Sequence, residues 1–128
     1  MGQQYLIDTN SVIDYLGNKI PASGMLFMNT IVDAIPNISI VTKIEVLGFI
    51  APDEHHKILQ AFINDAVLLN LDDEVADKTI NLRKASKIKL PDAIIAATAL
   101  VKDLTLITRN VADFKNVTDL KIINPFEV

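Results

Sequence analysis

Four acids are spread along the chain at positions from which a folded protein could gather them: Asp8, Glu45, Asp92 and Asp113. Asp8 follows the apolar run Tyr5-Leu6-Ile7, and Glu45 lies shortly after Ile38 to Val41. Asp113 lies beyond Leu104 to Ile107, while Asp92 follows Pro91 at the start of an alanine-rich segment. Two carboxylates about 4 Å apart repel by about 4 kcal/mol at an effective dielectric of about 20. A gathered set must therefore be partly protonated or held by a cation. Cysteine is absent, and His55 and His56 are adjacent instead of sharing a helix face at i, i+4. That disfavours zinc, whereas an all-oxygen set suits Mg²⁺ or Mn²⁺. Such ions keep waters and bind phosphate oxygens, so the implied chemistry is phosphodiester hydrolysis by a metal-activated water.

Taken singly, each acid has a plainer role. Asp8 suits a turn or a cap, and Glu45 stands at capping-box spacing from Thr42. Asp92 suits the positive end of a helix dipole, and Asp113 fits a turn before Phe114. Their joint placement favours a site. Lys43, Lys89 and Arg109 flank the acids and are candidates to hold phosphates, although solvent is the default for any one lysine. Asp72-Asp73-Glu74 reads as helix-start charge, and His55-His56 as part of a solvated face. Met25, Phe27 and Met28 read as core or partner surface.

The elements that must position these groups follow from periodicity and capping. Gln3 to Ile7 predicts a first strand, with Thr9 or Asn10 capping a helix whose Val12, Ile13 and Leu16 share a face. Gly17-Asn18 stops that helix, and Met25 to Ile35 predicts a second. Ile38 to Val41 is the second strand, after which Thr42 opens a helix carrying Glu45. Asp53 to Ala66 is amphipathic, and Val67 to Leu71 is the third strand. A further helix runs from Asp72-Asp73-Glu74 towards Lys87; the helix headed by Asp92 leads into the fourth strand, Leu104 to Ile107. Leu120 to Ile123 supplies the last. Strands alternating with helices indicate an α/β fold with a mainly parallel sheet. In such sheets, sites lie outside the carboxyl ends of the strands, where the winding reverses.

At 128 residues the expectation is one domain spanning 1–128. Half the residues are hydrophobic and 22% are charged, which suits a well-packed soluble fold. No apolar run approaches the ~20 residues that span a bilayer. MGQQYLIDTN lacks the features of a secretory signal, and Leu6 stands where a myristoylation motif needs Ser or Thr. A cytoplasmic location is the resulting expectation. The net charge of −4 argues against a general nucleic-acid coat protein, yet suits an enzyme that touches a few phosphates and concentrates acid around a metal.

YLIDTNSVIDYL, ISIVTKIEVLGF, LPDAIIAATAL, LTLITRNVADF and LKIINPF together resemble the PIN-domain ribonucleases, most closely the VapC-type toxins of bacterial and archaeal toxin–antitoxin pairs. The likeness runs almost end to end. It implies a three-layer fold, a parallel five-stranded sheet between helices, and makes Asp8, Glu45 and Asp92 the metal-binding acids. A fourth acid of many relatives aligns with Asn110, so either Asp113 takes that role or Asn110 orients a water. Thr9, Asn10 and Thr108 stand where the family has supporting polar residues. The implied activity is that of a Mg²⁺- or Mn²⁺-dependent endoribonuclease acting on RNA. The family also implies a homodimer kept silent by a cognate antitoxin, often through a basic side chain placed among the acids.

Two rival readings differ in class. A catalytically quiet PIN-like scaffold would bind RNA or protein, but has little reason to gather repelling charges. A phosphoacceptor receiver domain wants paired acids after the first strand, where this chain has Asp8-Thr9-Asn10, and an acceptor after the third, where Asp72-Asp73 lies.

Overall fold

Leu6 and Ile7 are adjacent in the first strand, β1 (Tyr5–Ile7), and so point to opposite faces of the sheet. The computed structural model describes residues 4–128, which leaves Gln3 of the expected first strand outside it. Leu6 and Leu106 join one core with Ile88, Ala93, Ile95, Ala96 and Ala99. Ile7 and Ile107 join a second core with Val12, Met28, Ile31, Ile38, Val46 and Leu59. The sheet therefore separates two apolar layers, each covered by helices.

Along the chain, β1 is followed by α1 (Thr9–Leu16), α2 (Ala22–Asp33), β2 (Asn37–Ser39), α3 (Ile40–Leu47) and α4 (Asp53–Asp65). Then come β3 (Val67–Leu69), α5 (Asp73–Ala85), α6 (Leu90–Val101), β4 (Thr105–Ile107), a 3-10 turn (Val111–Phe114) and β5 (Ile122–Ile123). All neighbouring strands are parallel, in the order β3-β2-β1-β4-β5. The chain winds outward from β1 through β2 to β3, then returns to the other side of β1 for β4 and β5. This confirms the expected parallel five-stranded α/β fold, and its switch point lies between β1 and β4.

Two caps differ from expectation. Asp8 itself caps α1, accepting from the Ser11 N–H at 2.9 Å, where Thr9 or Asn10 was expected to do so. Ser39 caps α3 by accepting from the Val41 N–H at 3.0 Å. The helix consequently begins at Ile40, Thr42 lies inside it, and Thr42 and Glu45 form no capping box. The β-branched residues Ile40 and Val41, expected in the strand, are helical because a good cap outweighs a modest strand preference. α2 also starts early, at Ala22, and β3 ends at Leu69.

β3 occupies the edge of the sheet, with β2 between it and β1. Asp72 caps α5 by accepting from the Val75 N–H and pairs with Lys102 at 3.0 Å. A strand between puts it away from Asp8, which removes the receiver reading and leaves Asp72 as helix-start charge. His55 is exposed, but His56 is half-buried with a ring nitrogen 3.3 Å from the Leu47 carbonyl, so the pair is only partly solvated. Met28 is core, with Met25 and Phe27 packed against it. Among the described residues, no helix is long and apolar enough to cross a membrane.

The C-terminal segment returns to α2. Ser23 donates to the Val128 carbonyl at 2.6 Å, and a Cβ at Gly24 would overlap the Pro125 carbonyl oxygen and come within 2.6 Å of Ile20 Cγ2. Gly24→Ala is accordingly expected to destabilise the fold by about 1–3 kcal/mol through overpacking. A lowered midpoint in urea unfolding checks this; an unchanged midpoint would show that the packing there yields freely.

Candidate active site

Asp8 ends β1 and starts α1, so it reaches the carboxyl edge of the sheet at its switch point. Its N–H donates to the Ile107 carbonyl at 3.1 Å, joining the ends of β1 and β4. Its side chain is buried, and burial pushes its pKa above the ordinary value, opposed by hydrogen bonds from Thr108 and Ser11 that favour the ion. The Ser11 hydroxyl is fully buried and meets no hydrogen-bond partner among the described residues, yet it lies close enough to favour the ionised Asp8. Thr108 is likewise fully buried, and its hydroxyl accepts from the Asn110 N–H at 3.0 Å. That bond sets the turn leaving β4.

Glu45 projects from α3 and is exposed. Its Oε1 lies 2.6 Å from the Thr9 hydroxyl, which donates to it; that hydroxyl is also 3.1 Å from the buried Thr42 hydroxyl. Thr9 of α1, with Thr42 of α3 beside it, thus holds a carboxylate that has no other hydrogen-bond partner among the described residues. Asp92 lies in the first turn of α6, half-buried. Its pKa is raised chiefly by burial, then by the negative charges of Asp113, Glu45 and Asp8, with Lys89 opposing.

Asp8, Thr9, Asn10, Glu45, Asp92 and Asn110 line one crevice of about 100 Å³, with Ile95 and Phe114 as its apolar part. Asp92 also borders a second hollow of about 230 Å³, whose walls include Lys89 and Asp113. The fold therefore brings together the first three acids, Asn110, Thr9 and Asn10, with Thr108 beneath Asp8. Asp113 approaches Asp92 from the neighbouring hollow. Lys43 and Arg109 line neither space, and Arg109 instead stacks over the Phe126 ring at 4.0 Å. Ser11 and Thr42 are the polar residues that sequence reasoning missed. Asp8-x-x-Ser11 carries the cap-to-N3 spacing that could have revealed the first, and Thr42 lies one helical turn before Glu45.

The donors in the crevice are three carboxylates, two amides and the Thr9 hydroxyl, all hard oxygen ligands apart from the amide nitrogens. Among the described residues, no three acidic or imidazole side chains form a ready-made ligand cage. A cation that keeps several waters and takes one or two carboxylates fits such a set, and Mg²⁺ and Mn²⁺ behave so.

Fold and site together define an α/β protein with an acidic crevice at the switch point of a parallel sheet. The chain belongs to the PIN domain family, whose model matches residues 5–120. A toxin–antitoxin complex from Klebsiella pneumoniae contains a chain 30% identical, with 97% of this chain and 99% of that chain covered and a TM-score of 0.75. VapBC2 from Rickettsia felis, bound to a DNA fragment from its promoter, is 19% identical over 94% of this chain and 97% of that chain, with a TM-score of 0.79. DNA-bound VapBC from Salmonella typhimurium is 22% identical over 95% and 98%, also with a TM-score of 0.79. At those lower identities the last two show a shared fold alone. No curated protein matches the chain. The PIN family read from the sequence is thus the family found, and the 30% identical chain comes from a toxin–antitoxin complex.

Folding raises the pKa of Asp92, so the folded chain holds that proton more tightly than the unfolded chain does. The resulting stabilisation is present below the ordinary value of 3.8 and is lost as pH rises through the folded value. In EDTA, Asp92→Asn is expected to melt above the parent at pH 7, the two converging as pH falls towards 3.8. Thermal melts across that range check this. An offset that ignores pH would contradict the proposed repulsion.

Proposed function

We propose that the protein is a Mg²⁺- or Mn²⁺-dependent endoribonuclease of the VapC type, kept silent by a cognate antitoxin. The observation that carries this reading is the meeting of Asp8, Glu45 and Asp92 in one crevice at the switch point. The similarity to a chain from a toxin–antitoxin complex supports the antitoxin, and the family resemblance supports a cytoplasmic homodimer. When bound, a divalent cation would supply positive charge at the phosphate and lower the pKa of a water. Asp8, Glu45 and Asp92 are the residues that would hold it, one or two of them directly and the rest through its waters.

The chain's own groups divide the remaining work. Asp8 is fixed by its cap and by Thr108, so its carboxylate is set before substrate arrives. Thr9 positions Glu45, and Asp92 stands where the crevice meets the second hollow. Asn110 lies among the acids and can orient a water or a phosphate oxygen with its amide. Asp113 acts through the charge it places beside Asp92. An antitoxin presenting a basic side chain to these carboxylates would neutralise them and fill the place of the cation.

Antitoxin-free protein is expected to cleave RNA with Mg²⁺ or Mn²⁺ and not with EDTA. Thr9→Val should lower activity about 10–100-fold, as loss of a group that orients a ligand does, and raise the metal concentration needed. Asp92→Asn should lose more. Cleavage assays over a panel of structured and single-stranded RNAs read both. Cleavage by the Asp92→Asn protein equal to that of the parent would sink the assignment, and RNA binding without metal-dependent loss would favour the quiet scaffold.

A further inference from the structure

The hollow beside the acidic crevice lies between the segment joining α5 to α6 and the turn that follows β4. Its polar lining comprises Ser86, Lys87, Lys89, Asp92, Asp113 and Asn116, and its volume is about 230 Å³. Ser86 and Lys89 both have extended backbone. In an extended segment alternate side chains share a side. Lys87 and Lys89 are both exposed and both line the hollow, with the buried Ile88 between them. Neither lysine has an ion-pair partner among the described residues. Two cations thus share the hollow with Asp92 and Asp113, and Asp92 also belongs to the crevice.

We propose that this hollow is a nucleotide subsite for single-stranded RNA, holding the unit next to the phosphodiester that lies at Asp8, Glu45 and Asp92. The inference rests on the nuclease reading and extends it to a second space. A nucleic-acid backbone is continuous, so a phosphodiester in the crevice sends its neighbouring sugar and phosphate over the Asp92 wall. Lys87 and Lys89 stand where that next phosphate needs charge. Asn116 and Ser86 can each donate and accept, so they can meet a base edge. The volume falls below the roughly 300–1,000 Å³ of drug-sized pockets but is several times the roughly 30 Å³ share of one water, which suits a base whose sugar and phosphate stay outside near the exposed lysines.

The test measures binding of short random-sequence RNA oligonucleotides to Asp92→Asn protein, which prevents turnover, as a function of salt. In that background Lys87→Gln with Lys89→Gln should weaken binding about tenfold and make the log–log salt slope shallower by about 0.7 for each phosphate no longer neutralised. Asn116→Trp, which plugs the hollow from an exposed position, should weaken binding comparably while leaving the slope unchanged. Lys19→Gln, beyond the far end of α1, should change neither. Binding unaffected by the lysine pair and by Asn116→Trp would overturn the subsite, as would an equal loss with Lys19→Gln, which would indicate diffuse attraction. If the parent protein cleaves no RNA with Mg²⁺ or Mn²⁺, the nuclease reading itself fails. If it cleaves and the hollow variants bind like their background, only the subsite falls.

Discussion

The N–H of Asp8 donates to the Ile107 carbonyl, and that bond closes the sheet at the place where the chain changes its direction of winding. With β1 and β4 held together there, the loops leaving them must diverge, one into α1 and the other into the turn at Asn110. The gap between diverging loops is the crevice. Asp8 adds a second constraint, since its carboxylate is both the cap of α1 and a wall of the site. Moving this one residue would disturb a helix start, a strand end and the acidic cluster together.

The other acids reach the crevice from opposite faces of the sheet. Glu45 comes on α3, whose Val46 packs into the core that contains Ile7, and Asp92 comes on α6, whose alanines pack on Leu6 and Leu106. Alanine at Ala93, Ala96, Ala97 and Ala99 lets α6 lie close to its neighbours while retaining the best helix propensity. This closeness brings the Asp92 carboxylate near the other charges. The fold tolerates the repulsion partly because Asp92 lies at the positive end of the α6 dipole, near Lys89. A cation in the crevice would relieve the remainder.

Much of this was legible because the acids sit at the ends of elements, where an apolar run stops and chemistry begins. Asp8 after Ile7 and Asp92 after Pro91 are such cases, and the alternating elements pointed to the parallel sheet. Ser39 was less legible: Ile40 and Val41 continue a β-branched run, and only the cap shows that the helix has already started. The basic residues show the limits of adjacency. Lys43 is two positions from Glu45, about 200° around a helix, so the two cannot share a face. Arg109 follows the inward-facing Thr108 and lies over Phe126 instead. The buried hydroxyls of Ser11 and Thr42 owe their importance to neighbours from other turns or other helices, and the hollow at Lys87 and Asn116 is formed by segments far apart in sequence.

Direct titration of Mn²⁺ into antitoxin-free protein, followed by the electron paramagnetic resonance signal of the free ion, addresses the central claim about the crevice. The account predicts uptake by the parent and affinity reduced about tenfold or more in each of Asp8→Asn, Glu45→Gln and Asp92→Asn. No uptake by the parent, or uptake indifferent to all three substitutions, would contradict it.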